Sequence, residues 1–449
     1  MFLLDSSPIA WLNRPYFDLG SFNGGSLHLY GIEFSYRNLI SNTPINDIPL
    51  TYGVQVKLPY SFRESLLRET GMTQYQVDNP LQLANELQTE RWSKVCDYLT
   101  HYQKLQLVTK YRLINLLSSL CFHPTVLEYV PEMSGSEIGS DPALAALALC
   151  RAISSLLLHQ DHGTLDNLNL KELENIANYA PSGTQVRFSA AIQLVVQYAK
   201  TFRNLEGAEF WRAIATKEIQ NLKPLLDDFG YRLLTSIYYR AVVFVPLLHG
   251  DKDKVIQEMD LCQSYAESLT CENEVQEVVA NENRNIILES RTKEALWLRN
   301  LDLAEERSRL LAQMDSLDPR YRLELGEILI KQGKIEEAAK VYRSATKLGP
   351  PGTAIAWFMM GQCYEAMSEL EIACDCYLAS LKIDPEAISA LEKLANLAPS
   401  LGNSALVNWS KLRLIELQEQ KQRMSIKPKR SYTSEASSKL KTAAQAMTI

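Results

Sequence analysis

The side chains best suited to chemistry stand in three short stretches. In "HQDHG", residues 159–163, His159, Asp161 and His162 lie close enough in sequence to share a metal ion. No further donor is identifiable, however, and Gly163 fits the C-terminal cap of the apolar helix that precedes it. The stretch therefore reads as a solvated helix end, where the dipole favours histidine. "GDKDK", residues 250–254, resembles the start of a calcium loop but lacks the later glycine and glutamate, and reads as a polar turn. Cys374 and Cys376 stand two apart on a helix, so they point to different faces and cannot hold one metal.

The remaining candidates are fewer. Six histidines occur (28, 101, 123, 159, 162, 249), none beside a serine or cysteine in a recognisable catalytic pattern. There is no Gly-rich loop ending in Gly-Lys-Ser/Thr, no G-x-G-x-x-G, no G-x-S-x-G and no H-E-x-x-H. "SFNGGS", residues 21–26, has two glycines but no following helix or lysine, and is a turn. The motifs predict no catalytic residue, no metal and no cofactor, and they count against nucleotide and hydrolase chemistry.

Such side chains need elements to position them. A chain of 449 residues is too long for one compact core and predicts several units or one elongated array. Residues 421–449 hold seven Lys or Arg against Glu435 alone, a charge of +6; the total of -7 then leaves -13 on the rest. An acidic body disfavours a broad nucleic-acid surface, which requires clustered cations. Eight cysteines without a CxxC read as buried free thiols in a reducing compartment. The start lacks a basic region and long apolar run of a signal peptide, and no stretch reads as a membrane span, so a cytoplasmic protein is expected.

Residues 1–60 are rich in Gly, Pro, Asn and Ser, and the alternation of Val54, Val56 and Leu58 with Gln55 and Lys57 predicts short strands or extended arms. Helical periods begin near residue 61, with Asp78 and Asn79 before Pro80 as one start signal. "MSGSEIGSD", residues 133–141, reads as a Gly/Ser linker, followed by "PALAALALCRAISSLLLHQ", a helix apolar almost all round and so buried on several sides. Residues 61–230 form an irregular helical region. From 231 to 420 helices come in pairs, joined by polar turns at 249–254, 299–302, 331–334, 367–369 and 400–403.

Two of these pairs repeat. A shift of 35 superposes Gly326 on Gly361, Ala338 on Ala373, Tyr342 on Tyr377, Ala345 on Ser380 and Pro350 on Pro385. The small residues mark where the two helices come closest, backbone to backbone, and Trp357, Met360 and Tyr364 share an apolar face beside Tyr377. Pro385 ends the unit. With Trp357, Met360, Gly361, Tyr364, Ala373, Tyr377, Ser380 and Pro385, this stretch resembles the tetratricopeptide repeat. The first copy departs at Arg322 and Leu329, where Trp and Tyr are usual. The resemblance is specific over 319–385 and extends in weaker form over 230–420, with the long helix after Trp409 expected to present a polar outer face as a cap.

The resemblance implies a mainly α fold, a right-handed helical-hairpin solenoid, beside the irregular helical N-terminal half and the short extended or β segment read above. It also implies a concave groove lined by Arg320, Leu323, Glu327, Ile330 and Lys331 in one unit and Ile355, Phe358, Gln362, Glu365 and Ala366 in the next. Phe358, flanked by Gln362 and Glu365, would anchor an apolar side chain. The clamp that grips chaperone tails in this family uses Lys and Asn where Leu323 and Glu327 stand here, so that subtype is set aside. The expected function is a non-catalytic scaffold, an adaptor, assembly factor or regulator that binds a protein or peptide. The alternative is an enzyme with an unrecognised site in residues 1–230, whose repeats present a peptide substrate. The basic tail 421–449 is expected to be disordered.

Overall fold

The computed structural model describes residues 90–119, 122–161, 166, 170–272, 274–314, 319–348 and 352–426. The expected N-terminal strands, the start signal at Asp78–Pro80, His162, Cys121 and the tail beyond 426 lie outside them. Among the described residues no strand forms and helices dominate, as the sequence predicts. The chain divides into two compact units, with the break between Tyr321 and Arg322.

In the unit that ends at Tyr321, α1 (Glu90–Thr100), α2 (Leu107–Ser119), α3 (His123–Tyr129), α4 (Gly135–Ser140) and α5 (Pro142–Asp161) come first. They are followed by α6 (Lys171–Tyr179), α7 (Gln185–Val196) and α8 (Leu205–Leu222). The predicted linker at 133–141 is instead the short helix α4. Ser134 caps it, its Oγ accepting from the Glu137 N–H while the Glu137 carboxylate accepts from the Ser134 N–H, and this reciprocal pair outweighs the two glycines.

Helix α5 is the centre of this unit, touching α2, α3, α4, α6 and α7, and Ala145, Ala146, Leu149, Ala152 and Leu156 are buried. Contrary to the sequence expectation, its Pro142–His159 window is long and apolar enough for a membrane span, with a mean hydropathy of 1.5. Neighbouring helices cover 56% of that window here, and Arg151 lies within it, bonded to the Val130 carbonyl at 2.7 Å.

Helices α9 (Asp228–Val242), α10 (Phe244–His249) and α11 (Lys252–Glu267) follow, then the pair α12 (Glu274–Trp297) and α13 (Leu301–Met314). Buried ion pairs pin this part: Arg212 of α8 bonds the Glu258 carboxylate of α11, and Arg291 and Arg307 share Glu294. Helix α14 (Pro319–Lys331) carries the division. The second unit then contains α15 (Ile335–Ala345), α16 (Thr353–Ala366), α17 (Leu370–Ile383), α18 (Ile388–Leu397) and α19 (Ser404–Ile426). Successive helices from α15 to α19 pack on one another in order, the stacked-hairpin solenoid the repeat predicts.

One turn geometry recurs down the chain. Each hairpin closes with a left-handed residue followed by an N–H that reaches back five positions: Asp251 to Pro246 O, Asn300 to Ala295 O, Lys334 to Leu329 O, Glu369 to Tyr364 O and Asn403 to Ala398 O, at 2.8 to 3.0 Å. The left-handed residues are Gly250, Arg299, Gly333, Ser368 and Gly402. From Arg299 onward they are spaced 34, 35 and 34 apart, so the repeat persists in backbone where its side-chain signature has faded.

Ser368 holds φ +66°, a conformation that costs an L-residue about 1–2 kcal/mol. Part of the relief glycine offers is returned as unfolded-state entropy. Ser368→Gly is therefore expected to raise stability by about 0.5–1 kcal/mol, read as a higher urea midpoint with an unchanged slope.

Candidate functional site

The two glycines of the repeat make a different contact from the one their spacing suggests. A Cβ on Gly326 would lie 2.4 Å from Cζ of Tyr342, and one on Gly361 would lie 2.7 Å from Cε1 of Tyr377. Each glycine thus seats a tyrosine ring sixteen residues on, and the close approach is helix to ring rather than backbone to backbone. Both rings are fully buried. Trp357, Met360 and Cys363 line the same core as Tyr342, whereas Tyr377 packs with Ala390, Leu391 and Leu394 of the next hairpin. Cys374 and Cys376 face these two different cores, as their spacing predicts.

With the core side of α16 fixed, its other face carries Phe358, Gln362 and Glu365 at i, i+4 and i+7, all half-buried. The Phe358 ring lies 5.5 Å from that of Tyr377, tilted by 46°. Glu365 accepts the Tyr377 hydroxyl at 2.6 Å and Lys393 Nζ of α18 at 3.0 Å. Burial and the Glu365 carboxylate push the Tyr377 phenol far above its ordinary range, so it remains a donor at every physiological pH. On α14, Glu327 and Lys331 are exposed and paired to each other at 2.7 Å. Arg320 belongs to the other unit. It is half-buried there, its guanidinium 5.7 Å from the Tyr321 ring, and burial raises the neighbouring Glu289 carboxyl less than Lys293, Arg320 and Arg240 lower it.

The structure therefore brings Phe358, Gln362 and Glu365 together, and adds two partners that sequence reasoning missed. Lys393 and the Tyr377 hydroxyl converge on Glu365 from the two following helices. A tyrosine sixteen positions after the glycine with a glutamate four after it was a visible signal for the first bond. Lys393 stands 28 residues from Glu365, in the next unit, where no local pattern points to it.

The first repeat supplies a control. Ile330 stands where Glu365 stands, and the buried Tyr342 hydroxyl has no hydrogen-bond partner. Tyr342→Phe is expected to be neutral or to stabilise, since it removes an unsatisfied buried oxygen. Tyr377→Phe removes a bond to a charged acceptor and should cost about 1.5–3 kcal/mol, toward the low end because Glu365 is partly solvated. Opposite signs or a clear gap in denaturation midpoint would check the assignment.

Among the described residues, groups for covalent or metal chemistry are not assembled near the Phe358–Gln362–Glu365 strip. Among the described residues no cluster of three or more His, Cys, Asp or Glu could hold a metal ion. Burial pushes the Cys363 thiol up to about 11 and, with Asp375, the Cys376 thiol up to about 12, so both stay protonated at neutral pH. Cys271, expected to be buried, is exposed, because its stretch connects α11 to α12 outside either helix. His159 lies half-buried on α5.

A family model of the tetratricopeptide repeat matches residues 295–353 and 323–388. Residues 295–388 carry tetratricopeptide repeats. The matched residues make up about a fifth of the chain's length, and they reach back to α12, whose turn at Arg299 opens the 34-residue series. Tetratricopeptide repeats serve in general as protein-interaction scaffolds, and that broad class is what these repeats support. No curated protein matches the sequence.

Several solved structures are similar at low identity. MamA from Desulfovibrio magneticus RS-1 is 15% identical, covering 41% of this chain and 96% of its own, with a TM-score of 0.33. PilF of Pseudomonas aeruginosa is 14% identical over 56% and 99%, with a TM-score of 0.33. The human IFIT1 dimer with PPP-AAAA is 11% identical over 93% and 97%, with a TM-score of 0.42.

Proposed function

We propose that this protein is a non-catalytic scaffold that binds a protein or peptide along the groove face of α14 and α16, as an adaptor, assembly factor or regulator acting in the cytoplasm. The observation that carries the reading is the strip Phe358–Gln362–Glu365, held half-open on one helix face while Trp357, Met360 and Gly361 beside it are buried. An aromatic body with an amide and a carboxylate in register suits an apolar anchor whose backbone is oriented by polar contacts. Phe358 and Glu365 also have structural partners, so they arrive preorganised, which lowers the entropy lost on binding.

For the same reason they are poor probes, since their loss would disturb Tyr377 and Lys393. Gln362 and Glu327 are better ones. Peptides selected from a displayed random library against the full chain should lose at least about tenfold in affinity on Gln362→Lys or Glu327→Lys, equivalent to ~1.4 kcal/mol or more. Unchanged affinities in both variants, with the fold intact by circular dichroism, would reject the groove.

A further inference from the structure

Among the described residues, the last helix, α19, does not close the stack as a cap should. Its outer face was expected to be polar, yet Trp409, Leu412 and Ile415 of α19 are 47%, 61% and 55% exposed. The repeat register explains what that face is. The turn residues Ser368 and Gly402 and the helix starts Leu370 and Ser404 are each 34 apart, so Leu412 and Ile415 occupy the positions of Leu378 and Leu381 on α17. Those two belong to the core that α18 closes with Ile388, Leu391 and Leu394. The outer face of α19 is thus a continuation of an interface this molecule already builds, with its covering helix missing among the described residues.

The register also states the chemistry of that helix. In the preceding layer, Tyr377 of α17 and Lys393 of α18 meet on Glu365 of α16, so cation and anion balance within the layer. One repeat later the Tyr377 position is Lys411, which is exposed, and the Glu365 position is Pro399. The carboxylate has gone and the cation has moved onto the covered face. A helix arriving in the place of α18 would set its own counterpart of Lys393 beside Lys411, and only an acidic residue there restores the balance.

We propose that the outer face of α19 docks an amphipathic helix of another protein, with apolar residues in the register of Ile388, Leu391 and Leu394 and an Asp or Glu in the register of Lys393. A second copy fits less well: antiparallel pairing of α19 about Leu412 sets Lys411 beside its own symmetry mate. The chain's residues 427–449 fit less well too, carrying five cations and the single acid Glu435.

The test uses the full chain and a stapled, fluorescein-labelled peptide of residues 386–399, made as the native sequence and with Lys393→Glu, read by anisotropy. The acidic peptide is expected to bind about tenfold more tightly than the native one, an attraction gained and a repulsion removed. Leu412→Asp, at an exposed site that the fold does not need, should weaken it by tenfold or more. Lys411→Glu should reverse the preference between the two peptides. No binding of the acidic peptide, or no reversal, would overturn the proposal. So would a concentration-dependent dimer lost in Leu412→Asp, which assigns the face to a second copy, or tighter peptide binding after removal of residues 427–449, which assigns it to the chain itself.

Discussion

Gly326→Val is expected to unfold the second unit under conditions where the parent is stable. A Cβ at 326 lands within 2.8 Å of Cζ, Cε1 and Cε2 of Tyr342 together, and that ring is fully buried in one core with Leu325, Leu329 and Trp357. Neither ring nor helix can yield alone. Alanine regains about 1 kcal/mol of helix propensity and loses roughly 1–3 kcal/mol to overpacking, so Gly326→Ala should be mildly destabilising. Valine adds two methyl groups and a stiff χ1, and should cost about 3 kcal/mol or more. Gly361→Val should follow the same course with a smaller loss, because its nearest ring atom is 2.7 rather than 2.4 Å away. A compensating Tyr342→Leu change should recover part of the loss, since the two sites share one contact and are not additive. Guanidinium unfolding of the four variants, with Trp357 among the fluorescence reporters, measures all of this. A Gly326→Val protein as stable as the parent would show that the ring is not seated on this helix.

Arg212→Met carries the second large effect, in the other unit. Its guanidinium bonds Glu258, a carboxylate only 1% exposed, whose second oxygen has no hydrogen-bond partner. Lys254 stands 4.0 Å away and is itself half in solvent. Methionine keeps most of the side-chain volume but leaves the carboxylate nearly unpaired, and breaking a buried pair from one side costs about 3–5 kcal/mol. The double variant Arg212→Met, Glu258→Met should be markedly more stable than the single one, because the stranded charge goes with it. The two residues join α8 to α11, so loss of protease resistance across 205–267 is the expected local readout. If the single and double variants unfold at the same midpoint, the ion pair is not what fixes these helices.

The legible part of this protein was what repeats or alternates within one helix or one hairpin. Trp357, Met360 and Tyr364 announced a buried face because residues three, four and seven apart share one side of a helix. Gly361 and Tyr377 announced a close contact because their spacing recurs at Gly326 and Tyr342. The physical identity of that contact, a ring on a helix, needed the geometry. The α4 helix was hidden because a capping box acts through two side chains while composition counts glycines.

The proposed groove shows the same division. Sequence placed Phe358, Gln362 and Glu365 on one face, and the structure keeps them there. It could not show that Glu365 is held by Lys393, or that Arg320 helps to lower the Glu289 carboxyl, since those partners are 28 and 31 residues away and depend on how helices stack. By itself the sequence determined the helical class, the hairpin repeat and the small-residue seats, all of which follow from spacings within a 34-residue unit. Only the tertiary structure decided which carboxylates are paired, which turn residues hold positive φ, and that Leu412 and Ile415 face outward instead of inward. Their register marks them as core positions, and a residue becomes core only when a neighbouring element arrives to cover it.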